Sequence, residues 1–372
     1  MRISPRDVLL LLAVFGLSVP IRAQAQVTPE RLERAAAEPQ NWLTHNGGYD
    51  SKRYSALTQI TPRNVKNLEQ KWVLQDQVFG AWESNPLVVD GIMYVTERPN
   101  DVIALDAKTG KVFWLYRYTP SPDARVCCGA NNRGVAILGD TLFMGTLDAH
   151  LIALDAKNGR PLWNIAVADV KLAYSITMAP LVVKDKVIVG VGGGEFGIRG
   201  FIAAYDGKTG KEAWRFNTIP GPGEPGHETW SGDDWMHGGA SVWITGSFDP
   251  SLNLVYWGIG NPGPDWNPDQ RPGDNLYSDC VVALDPRTGK RVWTFPQFDV
   301  TDAGMLTTAS DLLFTGGREG YFYALDAKTG KELWKASLGG SIVMAPITYR
   351  IDGQQYVSVI SGHTLVTFAL RD

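Results

Sequence analysis

Histidine and cysteine are both scarce in this 372-residue chain, at five and three. The histidines show no metal-ligand spacing. Neither CxxCH for attached haem, nor HExxH, nor a P-loop occurs. Covalent haem, zincin-type hydrolysis and P-loop nucleotide chemistry are thereby excluded. Charge of one sign is lacking too. The 35 basic and 39 acidic residues are spread along the sequence for a net charge of −4, so no basic tract argues for nucleic acid and no acidic block for a tail. The N-terminal apolar run, Val8 to Leu17, is too short for a permanent membrane helix. Arg2 and Arg6 precede it and Ala23-Gln24-Ala25 follows it, the pattern of a cleavable signal peptide over residues 1–25. No cysteine sits at the cleavage position, which disfavours a lipid anchor. The mature chain is expected to begin near Gln26 in an oxidising compartment, the periplasm, with no transmembrane segment left after cleavage.

Glycine, at 40, and tryptophan, at 13, are abundant. They fall into a repeat. Ala104-Leu105-Asp106-Ala107-Lys108-Thr109-Gly110-Lys111-Val112-Phe113-Trp114 recurs at Ala153 to Trp163, Ala204 to Trp214, Ala283 to Trp293 and Ala324 to Trp334. Each copy reads as a β-hairpin turn: the Asp side chain accepts from the turn amides, Gly supplies positive φ, and a Trp opens the next strand. Most copies are about 40 to 50 residues apart, the size of a four-stranded propeller blade. The interval from Asp206 to Asp285 is longer and holds one set of strands, so it reads as one blade with a large loop from Asn217 to Gly238. Strands from Ala345 to Leu370 lack a Trp hairpin, while Leu68 to Val73 carries Trp72 without preceding strands. Together they make a sixth blade. The expectation is an all-β propeller of about six four-stranded blades over residues 68–372, closed by pairing the chain ends. Residues 26–67 are expected to pack on it as an N-terminal segment.

Three loop clusters stand out. The first is Arg125-Val126-Cys127-Cys128-Gly129-Ala130-Asn131-Asn132-Arg133-Gly134. Adjacent cysteines in an exported chain either close a vicinal disulfide or remain a reduced, buried pair, and chemistry alone leaves both open. The second, Val191 to Gly200, contains Gly192-Gly193-Gly194-Glu195, where bare backbone lets a planar ligand approach and Glu195 offers hard oxygen. Its plainer reading is a flexible turn with a solvated carboxylate. The third, Gly258 to Asn275, contains Asn261 in Gly260-Asn261-Pro262-Gly263. Asn261 offers a carbonyl oxygen to a cation, or the stretch is simply a rigid Pro/Gly loop.

In this order, and between tryptophan-docking repeats, the clusters resemble the pyrroloquinoline quinone (PQQ)-dependent alcohol dehydrogenases, or quinoproteins, of the methanol dehydrogenase type. The resemblance covers essentially the whole mature chain and implies PQQ and a Ca²⁺ or lanthanide ion as cofactors. By motif, Cys127 and Cys128 match the disulfide on one face of the quinone, and Trp235 matches the indole on the other. Gly193 and Gly194 match the backbone beside the quinone. Glu83, Arg133 and Thr177 match its polar contacts, and Glu195 and Asn261 match the metal ligands. The reaction implied is oxidation of a small alcohol, with electrons leaving to a separate acceptor such as a soluble cytochrome c. The other class compatible with such repeats is a non-catalytic scaffold for binding or assembly.

The sequence departs from the family after the fourth repeat. The family continues there into an acidic stretch that carries the catalytic base. Here Trp293 leads through Thr294 to Gly304 straight into the strand-like run Leu306 to Gly316, as if about two blades were missing. Asp299 and Asp302 are the nearby carboxylates, as replacement bases or as ordinary turn residues. Cys280 is left without a partner.

Overall fold

A computed structural model describes residues 26–371, except 77, 79, 266, 297–305, 317–319, 327–330 and 343. The signal-peptide expectation for 1–25 therefore lies outside the described residues, as do Asp299 and Asp302. Among the described residues no helix is long and apolar enough to cross a membrane.

Among the described residues, five four-stranded antiparallel sheets, and a sixth whose four antiparallel strands are joined by one short parallel strand, account for the repeats. Blade I comprises Leu87–Val89, Ile92–Glu97, Asp101–Asp106 and Val112–Tyr116. Blade II comprises Ala136–Leu138, Thr141–Gly145, His150–Asp155 and Pro161–Ala166. Blade III follows with Leu181–Val183, Lys186–Gly190, Phe201–Asp206 and Glu212–Asn217. Blade IV is built from Ser247–Asp249, Leu254–Gly258, Cys280–Leu284 and Arg291–Pro296, and blade V from Leu306–Thr308, Leu312–Gly316, Tyr321–Asp326 and Glu332–Ser337. Blade VI takes Ile347–Ile351, Gln354–Ser361 and Thr364–Leu370 from one end of the chain and Leu68–Gln75 from the other. The long interval between repeats holds one blade, as expected. It carries a second excursion, residues 259–279, inside blade IV as well as the connection from blade III.

The repeat signature explains the sheet edges. Asp106 Oδ1 accepts from the amides of Lys108 at 2.8 Å and Thr109 at 3.0 Å, and the Gly110 amide closes the turn on the Asp106 carbonyl at 2.8 Å. A register shift follows each Ala–Trp pair, Ala104 with Trp114, Ala204 with Trp214 and Ala283 with Trp293 among them. The bulge re-aims the indole toward the next blade. Trp72, Trp114 and Trp214 donate from Nε1 to the carbonyls of Ala107, Ala156 and Pro286 one blade on, at 3.3, 3.2 and 2.8 Å. Trp72 pairs with Thr367 in blade VI, so it occupies the same position as the others.

A strap from Val27 to Ser55 contacts the first strand or first turn of every blade. Val27 bridges to Gly139 in blade II and Trp42 to Val88 in blade I. The Tyr49 hydroxyl donates to Val182 O in blade III at 2.7 Å, and the Tyr49 carbonyl accepts from Phe248 N in blade IV at 3.0 Å. Tyr54 and Ser55 add a short parallel strand to blade V. The Gln40 carbonyl accepts from Arg350 N in blade VI at 3.0 Å. These are main-chain and hydroxyl bonds between otherwise unrelated segments, and they leave few buried polar groups unpaired.

Gly159 lies at φ +73°, and an added Cβ would sit 2.6 Å from the Trp114 ring, whereas Gly91 at φ +88° has nothing within 4 Å. Gly91→Ala is expected to lose about 1–2 kcal/mol, the left-handed backbone term alone. Gly159→Ala should lose a further ~1–3 kcal/mol because the indole must move. Urea denaturation of the two variants side by side measures the difference, and equal losses would show that the indole contact is slack.

Candidate functional site

The connections leading into blades I, II and III are tied to one another by backbone. Asn85 N donates to Arg133 O, and Arg133 N to Thr177 O, each at 3.0 Å. This ladder aligns the side chains singled out in three separate loops. Arg133 pairs with Glu83 at 2.5 Å and donates to Thr177 Oγ1 at 2.9 Å. Both members of the ion pair are about 15% exposed, at 14% and 16%. Such a pair is desolvated enough to fix geometry yet open to an anionic ligand.

Cys127 and Cys128 form a disulfide, with their α-carbons 3.8 Å apart. Both sulfurs and a Glu195 carboxylate oxygen lie within 4.8 Å of one another. The vicinal ring and the glycine-rich loop, separated by a whole blade in sequence, thus meet. Gly193 and Gly194 are where that loop is most confined. A Cβ on Gly193, at φ +114°, would lie 2.3 Å from Ala173 O, and one on Gly194 3.1 Å from Ser241 Oγ. The third cluster joins through the same loop. The Gly239–Pro262 bridge and the Ala240 amide on Asn261 O, at 3.0 Å, bring Asn261 to the strand leaving blade III. A Cβ on Gly263 would come within 3.2 Å of Gly194 O.

The donor set fits a hard cation. Among the described residues the Glu195 carboxylate makes no ion pair or hydrogen bond. The Asn261 amide nitrogen is engaged by Asp265 at 2.7 Å, which leaves its carbonyl oxygen as the open end. Carboxylate and amide oxygen are what Ca²⁺ and lanthanides take. The arrangement also fits a planar anion: a cation and a hydroxyl at one edge, bare glycine backbone, and a disulfide beside them.

Two indoles lie beside these loops. Trp235 lies under the Arg199 guanidinium, 4.8 Å from ring to carbon, and edge-on to His227 at 5.8 Å. Arg199 is itself held by Glu224 at 3.0 Å. Trp243 instead lies beneath Arg133, 5.1 Å from its ring centroid, and is 39% exposed. It enters blade IV just after Ser241, the neighbour of Gly194. Sequence reading missed Trp243 because it lies outside the docking position and outside any repeated motif. A signal was present in its being a large aromatic between two glycine-rich clusters. Cys280 is buried in blade IV, where burial pushes its thiol above the usual range.

Four-stranded blades docked by tryptophan, with a vicinal disulfide facing a carboxylate between glycine-rich connections, define a quinoprotein-type β-propeller. Residues 42–302 match the family described as glucose/ethanol/alcohol dehydrogenase, beta-propeller domain, and the chain belongs to that family. Residues 278–372 match the family of the outer membrane protein assembly factor BamB. Quinohemoprotein alcohol dehydrogenase ADH IIB of Pseudomonas putida is 40% identical over 86% of this chain and 51% of its own length. The lanthanide-dependent methanol dehydrogenase of Methylacidiphilum fumariolicum is 38% identical over 86% of this chain and 58% of its own. The chain thus spans about half the length of the curated relatives it matches. Among solved structures, quinohemoprotein alcohol dehydrogenase ADHIIG from Pseudomonas putida superposes with a TM-score of 0.86 at 26% identity, covering 93% of this chain and 82% of that one. A europium-containing methanol dehydrogenase gives 0.82 at 26% identity, over 92% and 100%.

Thiol titration checks the disulfide. Denatured, unreduced protein should show one thiol, Cys280, and reduced protein three. Three thiols before reduction would overturn the pairing.

Proposed function

We propose that this chain is a periplasmic PQQ-dependent dehydrogenase that oxidises a small alcohol and passes its electrons to a separate acceptor such as a soluble cytochrome c. The observation that carries the reading is the meeting of Cys127, Cys128 and Glu195 within 4.8 Å, beside the Glu83–Arg133–Thr177 chain. Family membership supports it. In this reading residues 1–25 are a removed leader and 26–67 the segment that braces the propeller over 68–372.

Arg133 and Thr177 would hold a carboxylate of the quinone, with Glu83 fixing the guanidinium. Gly193 and Gly194 would present backbone to its edge, between the Cys127–Cys128 ring and an indole. Trp243 takes the place first assigned to Trp235, because it is the exposed indole that touches this group. Glu195 and Asn261 would hold Ca²⁺ or a lanthanide, completing six to eight ligands with water and cofactor oxygen. When bound, PQQ supplies a two-electron acceptor and the metal a Lewis acid. The alcohol proton requires a carboxylate, and Asp299 and Asp302 directly follow the last strand of blade IV in sequence.

Binding of PQQ in the presence of Ca²⁺ or a lanthanide, followed by absorbance, tests the reading. Alcohol-dependent dye reduction is expected to be much slower than in full-length relatives, because a positioned base contributes about 10²–10⁴ in rate. Asp299→Asn or Asp302→Asn should abolish what remains while PQQ binding persists. Rapid turnover that survives both changes would show that the base lies elsewhere. Failure to bind PQQ with either metal would leave the assembly-scaffold reading, toward which the match over residues 278–372 points.

A further inference from the structure

Asn131 is 5% exposed and sits between the two halves of the site. Its Nδ2 donates to Glu83 Oε1 at 2.8 Å and to the Cys128 carbonyl at 3.1 Å. Its own amide donates to Gly129 O at 2.9 Å, which closes the turn just after the disulfide. The Glu83 carboxylate is thereby fixed at both oxygens, by Arg133 on Oε2 and Asn131 on Oε1. No backbone bond among the described residues joins the Glu83 segment to the cysteine turn. Asn132 serves a different purpose: it donates to Gly145 O at 3.0 Å and accepts from Gly134 N, within blade II.

We infer that Asn131 is a positioning residue, an amide clamp that sets the Cys127–Cys128 ring at a fixed distance from the Glu83–Arg133 pair. It rests on the reading that these groups flank one bound quinone. Asn131 touches neither the ligand nor the reacting atoms. It acts by fixing the gap into which a rigid planar molecule must fit, and preorganising such a gap removes an ordering loss from the binding step. Both Nδ2 bonds are needed for this, and one ends on a charged group, the stronger kind.

The clamp is tested first without cofactor. The lifetime of the disulfide under a phosphine reductant, which unlike a thiol still acts in acid, should fall several-fold in Asn131→Ala, because the turn opens locally more often. Asn131→Gln, which keeps the donor on a longer arm, should recover part of the loss. Asn131→Asp replaces a donor to Glu83 by a second carboxylate and should be the most labile. Its defect should recede below about pH 4, where carboxylates protonate. A residue that merely packs would not give that pH dependence. PQQ affinity with Ca²⁺ should follow the same order, with a loss of about 10- to 100-fold in Asn131→Ala. Equal disulfide lifetimes in all four proteins, or Asn131→Asp binding PQQ as tightly as the parent, would overturn the inference. Should the parent itself bind no PQQ, the cofactor reading fails, and the lifetimes and their pH dependence still decide whether the clamp exists.

Discussion

The contact on which the rest depends is an indole laid on a glycine. In the hairpin turns Gly110, Gly159, Gly210 and Gly289 lie at φ between +70° and +74°, and each faces the Trp of the preceding blade, Trp72, Trp114, Trp163 and Trp214. The built Cβ positions fall 2.5 to 3.1 Å from the facing rings. Two demands therefore coincide at one residue. The turn needs a backbone that side chains disfavour, and the neighbouring blade needs the room a side chain would take. Repeating that coincidence at four turns docks successive blades in the same way.

The apolar packing shows where the repetition is interrupted. One buried cluster runs through blades I to IV, with Tyr94, Phe143, Val189 and Trp257 in it. A second joins blades V, VI and I through Phe314, Phe322, Tyr349 and Val95. Blade I serves both because alternate residues of one strand, Tyr94 and Val95, point to opposite faces. Among the described residues neither cluster spans blades IV and V, the junction at which the sequence departs from its relatives. Trp293 there is 41% exposed, against 8% for Trp72 and 7% for Trp214. The strap bridges this junction, since Tyr49 holds blade IV and Tyr54–Ser55 pair with blade V.

The blades were legible because each turn states its geometry locally, in an Asp, a Gly and a Trp at fixed offsets. Even the split blade could be read, since Trp72 lacked strands before it and Ala345 to Leu370 lacked a Trp after it. The strap could not be read beyond its existence. Trp42, Tyr49 and Ser55 carry no period, and their partners lie in different blades. The same limit explains the indole. Trp235 and Trp243 are equally suited in chemistry, and which one meets Arg133 depends on how the chain leaves blade III. That path is set by Val242 N on Val191 O at 2.7 Å and by the Gly239–Pro262 bridge, pairings between loops that no local pattern encodes. The disulfide lay between these cases: adjacency made it possible, and only the fold brings Glu195 to it.

The candidate site is rooted on one run of consecutive blades. Glu83, Cys127, Cys128, Arg133, Thr177, Glu195, Trp243 and Asn261 stand on the connections of blades I to IV, and the backbone ladder from Asn85 through Arg133 to Thr177 ties the first three of these together. All four blades share one core. The first of those connections is braced from blade VI as well: Trp82, next to Glu83, packs in the second cluster, and its amide donates to the Gly362 carbonyl at 3.1 Å.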